Sequence, residues 1–324
     1  MSKKLIIFGN GLGMAMNPNH FRLDTALQEI WDFPNVLNET QKNLIETCLK
    51  HEGPPSGEDE LDLLHQAVVH CRSLNRIAEN GENWLTENGQ TFPDITAIYF
   101  HKVATQLYKY EDDLPDSFTT PLVDFIKQTK SHVATLNYDK LLYDAFINNN
   151  IFDGYNGCLI DGMVDAGFSS DRLERKYENY FGYYLHLHGS PLFVNQNGKI
   201  VKLPRSDLNI SHDEPSQHIV LTHIKHKPFV IGASEVLSTY WNYFQFAISE
   251  AKEIILFGYS GNDDHLNILI RPYLKLKKLK VIEWSGAGND TQQESEQYWE
   301  DQLGHEIHEI EVTRLDNITD FTSW

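Results

Sequence analysis

The chain is short of cysteine, of basic residues and of long apolar runs, and each shortage removes a class of protein. Its 324 residues hold three cysteines, Cys48, Cys71 and Cys158. They are odd in number and never approach the C-x-x-C spacing of a structural zinc or a redox pair, so a reducing, cytosolic setting is expected. No apolar stretch reaches the ~20 residues that cross a bilayer. The opening MSKKLIIFGNG carries too brief an apolar run for a signal peptide, so a soluble cytoplasmic protein without membrane contact is expected. Lys and Arg number 27 against 46 Asp and Glu, a formal charge of −19, and such a field repels polyanions; direct nucleic-acid binding is not expected. The one basic cluster, KLKKLK at 275–280, reads as a solvated helix end leading into a strand.

What is present alternates. The length suits one large α/β domain with an insertion or two modest domains. Leu5 to Phe8 is a continuous apolar run ending in Gly9-Asn10-Gly11-Leu12-Gly13, which reads as a buried parallel strand entering a tight turn that a nucleotide phosphate could approach. From about 37 to 112 the spacing is helical, with Leu61, Leu64, Val68 and Cys71 at intervals of three and four, and it reads as a helical insertion. The strand–helix rhythm resumes with a helix from Phe118 to Lys130, a strand from His132 to Leu136 and a helix from Tyr138 to Phe146. A Gly- and Asp-rich stretch, 153–180, reads as a mobile loop flanking a site, and Tyr183 to His188 as the next strand. Residues 201–228 read as irregular and Phe229 to Ile231 as a short strand. An amphipathic helix from Val236 to Ile248 with a core Trp241 follows, then strands at Ile254 to Phe257 and Lys280 to Trp284. Gly258-Tyr259-Ser260, with Asp263, forms a second glycine turn. The expected fold is therefore α/β, a Rossmann-like parallel sheet with helices on both faces and a helical insertion.

Two segments carry chemistry. Thr135-Leu136-Asn137-Tyr138-Asp139 and His186-Leu187-His188-Gly189-Ser190 each follow a strand, so a carboxamide, a carboxylate and an imidazole would project from neighbouring strand ends toward one crevice. Three structural alternatives stand beside this: an Asn after a strand is often a turn former, a His before Gly often a satisfied strand-end residue, and Arg22 either a phosphate contact or a surface ion pair.

In order along the chain, these pieces resemble the SIR2-like (sirtuin-related) family. GNGLGMAMNPNHFR keeps Gly9, Gly11 and the Phe21-Arg22 pair of that family's first glycine turn; Asn137-Tyr138-Asp139 matches its NxD element, His188-Gly189 its HG, and Gly258-Tyr259-Ser260 with Asp263 the GYS-x-x-D of bacterial variants. The resemblance implies one catalytic domain over 1–324 with the insertion at 37–112, NAD+ as substrate and no metal. It assigns catalysis to Asn137 and His188 and dinucleotide contacts to Gly9, Asn10, Gly11, Phe21, Arg22, Asp139, Gly189, Gly258, Tyr259, Ser260, Asp263 and Glu283, with Trp284 beside Glu283. No cysteine follows Cys158, so the four-cysteine zinc ribbon of sirtuin deacylases is absent. That departure resembles the NAD-hydrolysing branch of bacterial anti-phage defence. It implies a homo-oligomer that depletes cellular NAD+ when switched on by a partner such as a HerA-type ATPase or a short Argonaute. A metal-dependent hydrolase built on His186, His188, Asp263, Asp264 and His265 is the first rival, and a non-catalytic nucleotide-sensing scaffold the second.

Overall fold

Apolar runs become strands where both faces are to be covered. In the computed structural model, which describes residues 2–78, 82–152, 157–176, 179–208, 216, 218–221, 227–286, 288 and 291–324, the first run forms β1 (Lys4–Phe8), fully buried from Leu5 onward. Leu5 and Ile7 enter one apolar core and Ile6 and Phe8 another, the period-2 alternation of a strand packed on both sides. The chain continues through α1 (Gly11–Met16), α2 (Pro18–Phe21), α3 (Leu23–Asp32), α4 (Glu39–Leu49), α5 (Glu58–Ile77), α6 (Glu87–Tyr108) and α7 (Asp116–Thr129) to β2 (His132–Thr135) and α8 (Leu141–Asn148). Next come β3 (Leu159–Ile160), the small pair β4 (Met163–Val164) and β5 (Gly167–Phe168), β6 (Gly182–His186), and the hairpin β7 (Phe193–Gln196) and β8 (Lys199–Lys202). The last part holds α9 (Lys227–Ala233), α10 (Glu235–Glu250), β9 (Glu253–Phe257), α11 (Asp264–Leu274), β10 (Lys278–Trp284), α12 (Gln292–Leu303) and β11 (Glu309–Leu315).

Seven strands make one parallel sheet in the order β11-β10-β9-β1-β2-β6-β3. The chain leaves β1 toward β2 and β6 and later returns to its other side as β9, so a topological switch point falls at β1, with a crevice outside the carboxyl ends of the strands. Phe118, Leu122 and Ile126 of α7 with Leu141 and Phe146 of α8 cover one face; Val236, Tyr240, Phe244 and Ile248 of α10 with Leu266 and Ile270 of α11 cover the other. Helices α3 to α6 share a third core around Leu27, Ile30, Ile45, Leu64, Tyr99 and Val103, pinned where the Tyr99 hydroxyl donates to the Leu27 carbonyl at 2.8 Å. None of the described helices is long and apolar enough to cross a membrane.

Three local expectations change. Phe229 to Ile231 is helical, the middle of α9, not a strand. Three apolar residues define no period, and Pro228 sits in the first turn, where its missing N–H costs nothing. The helix after β2 begins at Leu141 rather than Tyr138; in the turn before it Asp139 Oδ1 accepts from the Leu141 amide. Of the stretch 153–180, residues 153–156 and 177–178 lie outside the described residues, and the remainder carries β3, β4 and β5. Of 201–228, residues 209–215, 217 and 222–226 also lie outside them. The basic cluster is neutralised in place: Lys275 pairs with Glu306, Lys277 donates to the carbonyls of Ser249 and Ala251, and Lys278 and Lys280 pair with Glu311.

Candidate active site

Two glycine turns meet back to back at the switch point. A Cβ on Gly9 would lie 2.6 Å from the Gly258 carbonyl oxygen, and one on Gly11 2.6 Å from the Gly258 Cα; Gly258 itself has φ +56°. The Gly11 amide donates to the Gly258 carbonyl at 2.8 Å and the Gly9 amide to the Phe257 carbonyl at 2.9 Å. Close approach of the two turns, with these amides spent on it, explains the glycines. Asn10 is exposed at this turn and donates through Nδ2 to the Phe21 carbonyl at 2.9 Å.

β2 delivers Asn137 beside that junction. Its Nδ2 donates to the Gly9 carbonyl at 3.0 Å and its amide to the Thr135 hydroxyl at 3.1 Å. The donor contact fixes which way the carboxamide points. Among the described residues its buried Oδ1 has no hydrogen-bond partner. Asp139 is divided in the same way: Oδ1 accepts from the Leu141 amide at 3.0 Å, and Oδ2 is buried and unpartnered. Burial pushes the Asp139 carboxyl up to about 6, against the opposing pull of the Leu141 amide and the nearby Asn137 carboxamide. Two partnerless buried acceptors so close in the chain are unusual, since buried polar atoms are nearly always paired. They suit a ligand that brings hydroxyl or amide donors.

β6 delivers His188 on the adjacent strand. The register Thr135 to His186 places Asn137 and His188 each two residues further along neighbouring parallel strands, which run about 4.8 Å apart. His188 is buried, and its Nε2 lies 2.9 Å from Asp263 Oδ2. Lys227 donates to the same oxygen at 2.8 Å, while Asp263 Oδ1 accepts from the Leu266 amide and starts α11. Burial alone would raise the Asp263 carboxyl, but the His188 hydrogen bond and the Lys227 ammonium hold it well below the usual carboxylate range. The next residue, Gly189, has φ +82°, and a Cβ there would sit 1.7 Å from the His218 carbonyl oxygen, so only glycine fits. Across the strand ends, the Tyr138 hydroxyl donates to the Val220 carbonyl at 2.6 Å, the Val220 amide donates to the His188 carbonyl at 2.9 Å, and the Tyr138 and His188 rings lie 6.3 Å apart.

The other predicted residues divide between wall, core and surface. Tyr259 is buried and donates to Asn267 Oδ1 at 2.8 Å, a wall residue; Ser260 beside it is exposed. Phe21 is core, packed where a Cβ on Gly13 would strike its ring. Arg22 is exposed and paired with Asp24. Glu283 does not stand free at its strand end: it accepts from Ser295 at 2.6 Å and from Trp299 Nε1 at 2.8 Å, with Arg314 at 3.3 Å. Trp284 next to it is 57% exposed. His186 does not join His188. Its ring is buried among Tyr143, Tyr184, Phe193 and Tyr240 with both nitrogens unpartnered, and burial, reinforced by Lys202, depresses its basicity strongly. His265 packs on Trp241 at 4.5 Å and Asp264 is exposed, and among the described residues no group of three or more His, Cys, Asp or Glu is placed to hold a metal ion. Lys227 is the residue that sequence reasoning missed; a lone lysine before Pro228 in a stretch read as irregular gives no signal.

A family model described as SIR2-like domain matches residues 131–307, more than half of the chain. The matched span runs from the start of β2 past α12 and so includes Asn137, Asp139, His188, Lys227 and Asp263. Among curated proteins none matches the chain.

Proposed function

Because the chain belongs to the SIR2-like family, we propose that it is an NAD+ glycohydrolase, cleaving NAD+ and water to nicotinamide, ADP-ribose and a proton. The observation that carries this is the pairing of a fixed, partnerless buried acceptor, Asn137 Oδ1, with a carboxylate-bound imidazole, His188, on the neighbouring strand end. The family supplies the substrate; these residues supply the chemistry. With its donor spent on Gly9, the Asn137 carboxamide accepts from a ribose hydroxyl and orients the sugar. Asp139 Oδ2 is suited to accept from the nicotinamide amide. The glycosidic bond breaks with its electron pair passing into the pyridinium ring, the water oxygen bonds to the anomeric carbon, and the proton of that water passes to His188. Arg22 and Glu283, engaged with Asp24 and with Ser295, Trp299 and Arg314, are assigned no step.

The protein is proposed to act as the effector of a bacterial anti-phage defence system, as a homo-oligomer that depletes NAD+ when a partner, a HerA-type ATPase or a short Argonaute, activates it. What supports this is the missing zinc ribbon, since no cysteine follows Cys158. The test is nicotinamide release from NAD+ by the purified protein, alone and with each candidate partner. Asn137→Ala and His188→Ala are each expected to lower turnover about a hundredfold or more with thermal unfolding little changed. Full turnover by either variant removes the proposed catalytic pair, and full turnover by an isolated monomer removes the proposed activation.

A further inference from the structure

The His188 imidazole has two nitrogens, and among the described residues one is engaged. Nε2 meets Asp263 Oδ2 at 2.9 Å; Nδ1 makes no hydrogen bond among the described residues. The carboxylate that meets it is held on every side. Oδ1 accepts from the Leu266 amide at 3.2 Å, Oδ2 also accepts from Lys227 at 2.8 Å, and the Asp263 amide donates to the Tyr259 hydroxyl at 2.9 Å. Asp263 and Lys227 are each about 95% or more buried. An ammonium so deeply buried, paired with a carboxylate that is itself buried, costs desolvation on both sides, and such a pair needs a function or a structural gain to explain it.

We propose that Asp263 and Lys227 are positioning residues that hold His188 as its Nε2–H tautomer, turning Nδ1 into the nitrogen that takes the proton from the attacking water. An ionised carboxylate accepts only, so the shared proton belongs to Nε2 and the lone pair to Nδ1. Lys227 keeps that carboxylate ionised and oriented, so Asp263 acts through His188 and makes no contact of its own with the dinucleotide. The inference rests on the glycohydrolase reading and adds to it the atom that accepts the proton.

Charge arithmetic gives the relay a signature that a packing role lacks. The groups around the pair are Lys227 from α9, Asp264 and His265 from α11, Tyr259 from the β9 turn and Tyr138 from the end of β2. In Asp263→Asn the anion is lost and the Lys227 cation remains, so protonation of His188 becomes harder and the acidic limb of the rate profile moves to lower pH. In Lys227→Met the anion is uncompensated, so protonation becomes easier and the limb moves to higher pH. Opposite displacements of about one pH unit are expected. The turnover number falls about a hundredfold in Asp263→Asn and about tenfold in Lys227→Met, and Lys227→Arg, which keeps the charge, restores most of it.

The decisive experiment needs no turnover. Imidazole 15N spectra of the resting wild-type protein, with His188 assigned by its loss in His188→Gln, are expected to show a protonated Nε2 and an unprotonated Nδ1. A protonated Nδ1 in the wild type, or loss of activity in both variants with no displacement of the acidic limb, overturns the proposal. Absence of nicotinamide release from the wild type, even with a partner, would instead overturn the glycohydrolase reading, and the tautomer would still decide whether the relay exists.

Discussion

Asn137 and Asp139 keep one oxygen each out of any hydrogen bond although both side chains are buried. Such an arrangement destabilises the folded protein in proportion to what it keeps ready for a ligand. Asp139 makes the cost measurable. Its folded carboxyl is raised to about 6, so the folded state binds this proton more tightly than the unfolded chain does. The ionised form therefore opposes folding, not at all well below pH 4 and fully above about pH 6. Asn retains the contact with the Leu141 amide and removes the charge, so Asp139→Asn is expected to match the wild type at pH 4 and to exceed it by on the order of 2 kcal/mol at pH 8. Urea unfolding at the two pH values checks this, and equal stability at pH 8 contradicts it. Asn137 and His188 were legible in the sequence because a polar residue directly after an apolar run must lie at a strand end. Lys227 was not, since its role depends on a contact with Asp263 36 residues away. For Glu283 and Arg22 the resemblance conveys position along the chain, and the structure adds the neighbours each side chain finds: Ser295, Trp299 and Arg314 for one and Asp24 for the other.

The glycine turns divide into those that must be glycine and those that need only be turns. Gly189 combines φ +82° with backbone 1.7 Å from its missing Cβ, whereas Gly198 has φ +76° and nothing within 4 Å. Gly198→Ala is expected to cost about 1 kcal/mol from backbone strain alone. Gly189→Ala should cost on the order of 3 kcal/mol or more, because the His218 segment has to move. Thermal unfolding of the two variants separates them, and equal losses would mean that this segment yields freely. Among the elements, β1 and β9 declare themselves by unbroken apolar runs, Leu5 to Phe8 and Ile254 to Phe257, because both of their faces are covered. β11, EIEVTRL at the sheet edge, is mostly half-buried and mixed in polarity, so no such run marks it. Phe229 to Ile231 was too brief to reveal a period and took its helical form from α9 as a unit.

At the amino-terminal edge of the sheet, opposite the glycine turns, a second set of buried and half-buried polar groups ties the layers together. Glu250 accepts two hydrogen bonds from Arg175, at 2.7 and 2.8 Å, and lies 2.7 Å from His132 Nε2; Lys3 donates to the Phe181 carbonyl at 2.6 Å. Burial lowers His132 to about 4, outweighing its hydrogen bond to Glu250. The folded state thus refuses a proton that the unfolded chain accepts below about 6.5, and stability is lost as pH falls from there toward 4. Burial opposes ionisation of Glu250, but His132 and Arg175 hold its carboxyl well below the usual range, which adds loss in acid as pH falls below its unfolded value. A charge of −19 relaxes over the same interval, and if self-repulsion governed, acid would stabilise. In the Asp139→Asn background, where the opposing Asp139 titration is removed, the urea midpoint is expected to fall between pH 6.5 and 4, and His132→Phe to flatten that fall; a rising midpoint there would show that repulsion wins.

The proposed function lays a dinucleotide across the ends of β1, β2, β6 and β9. A crystal structure of the protein with a carbocyclic NAD+ analogue that cannot release nicotinamide would locate that ligand. The expected result is a ribose hydroxyl about 2.7–3.2 Å from Asn137 Oδ1, with His188 Nδ1 facing the anomeric carbon across room for one water. An analogue bound elsewhere, or bound with Asn137 Oδ1 still unpartnered, would contradict the account.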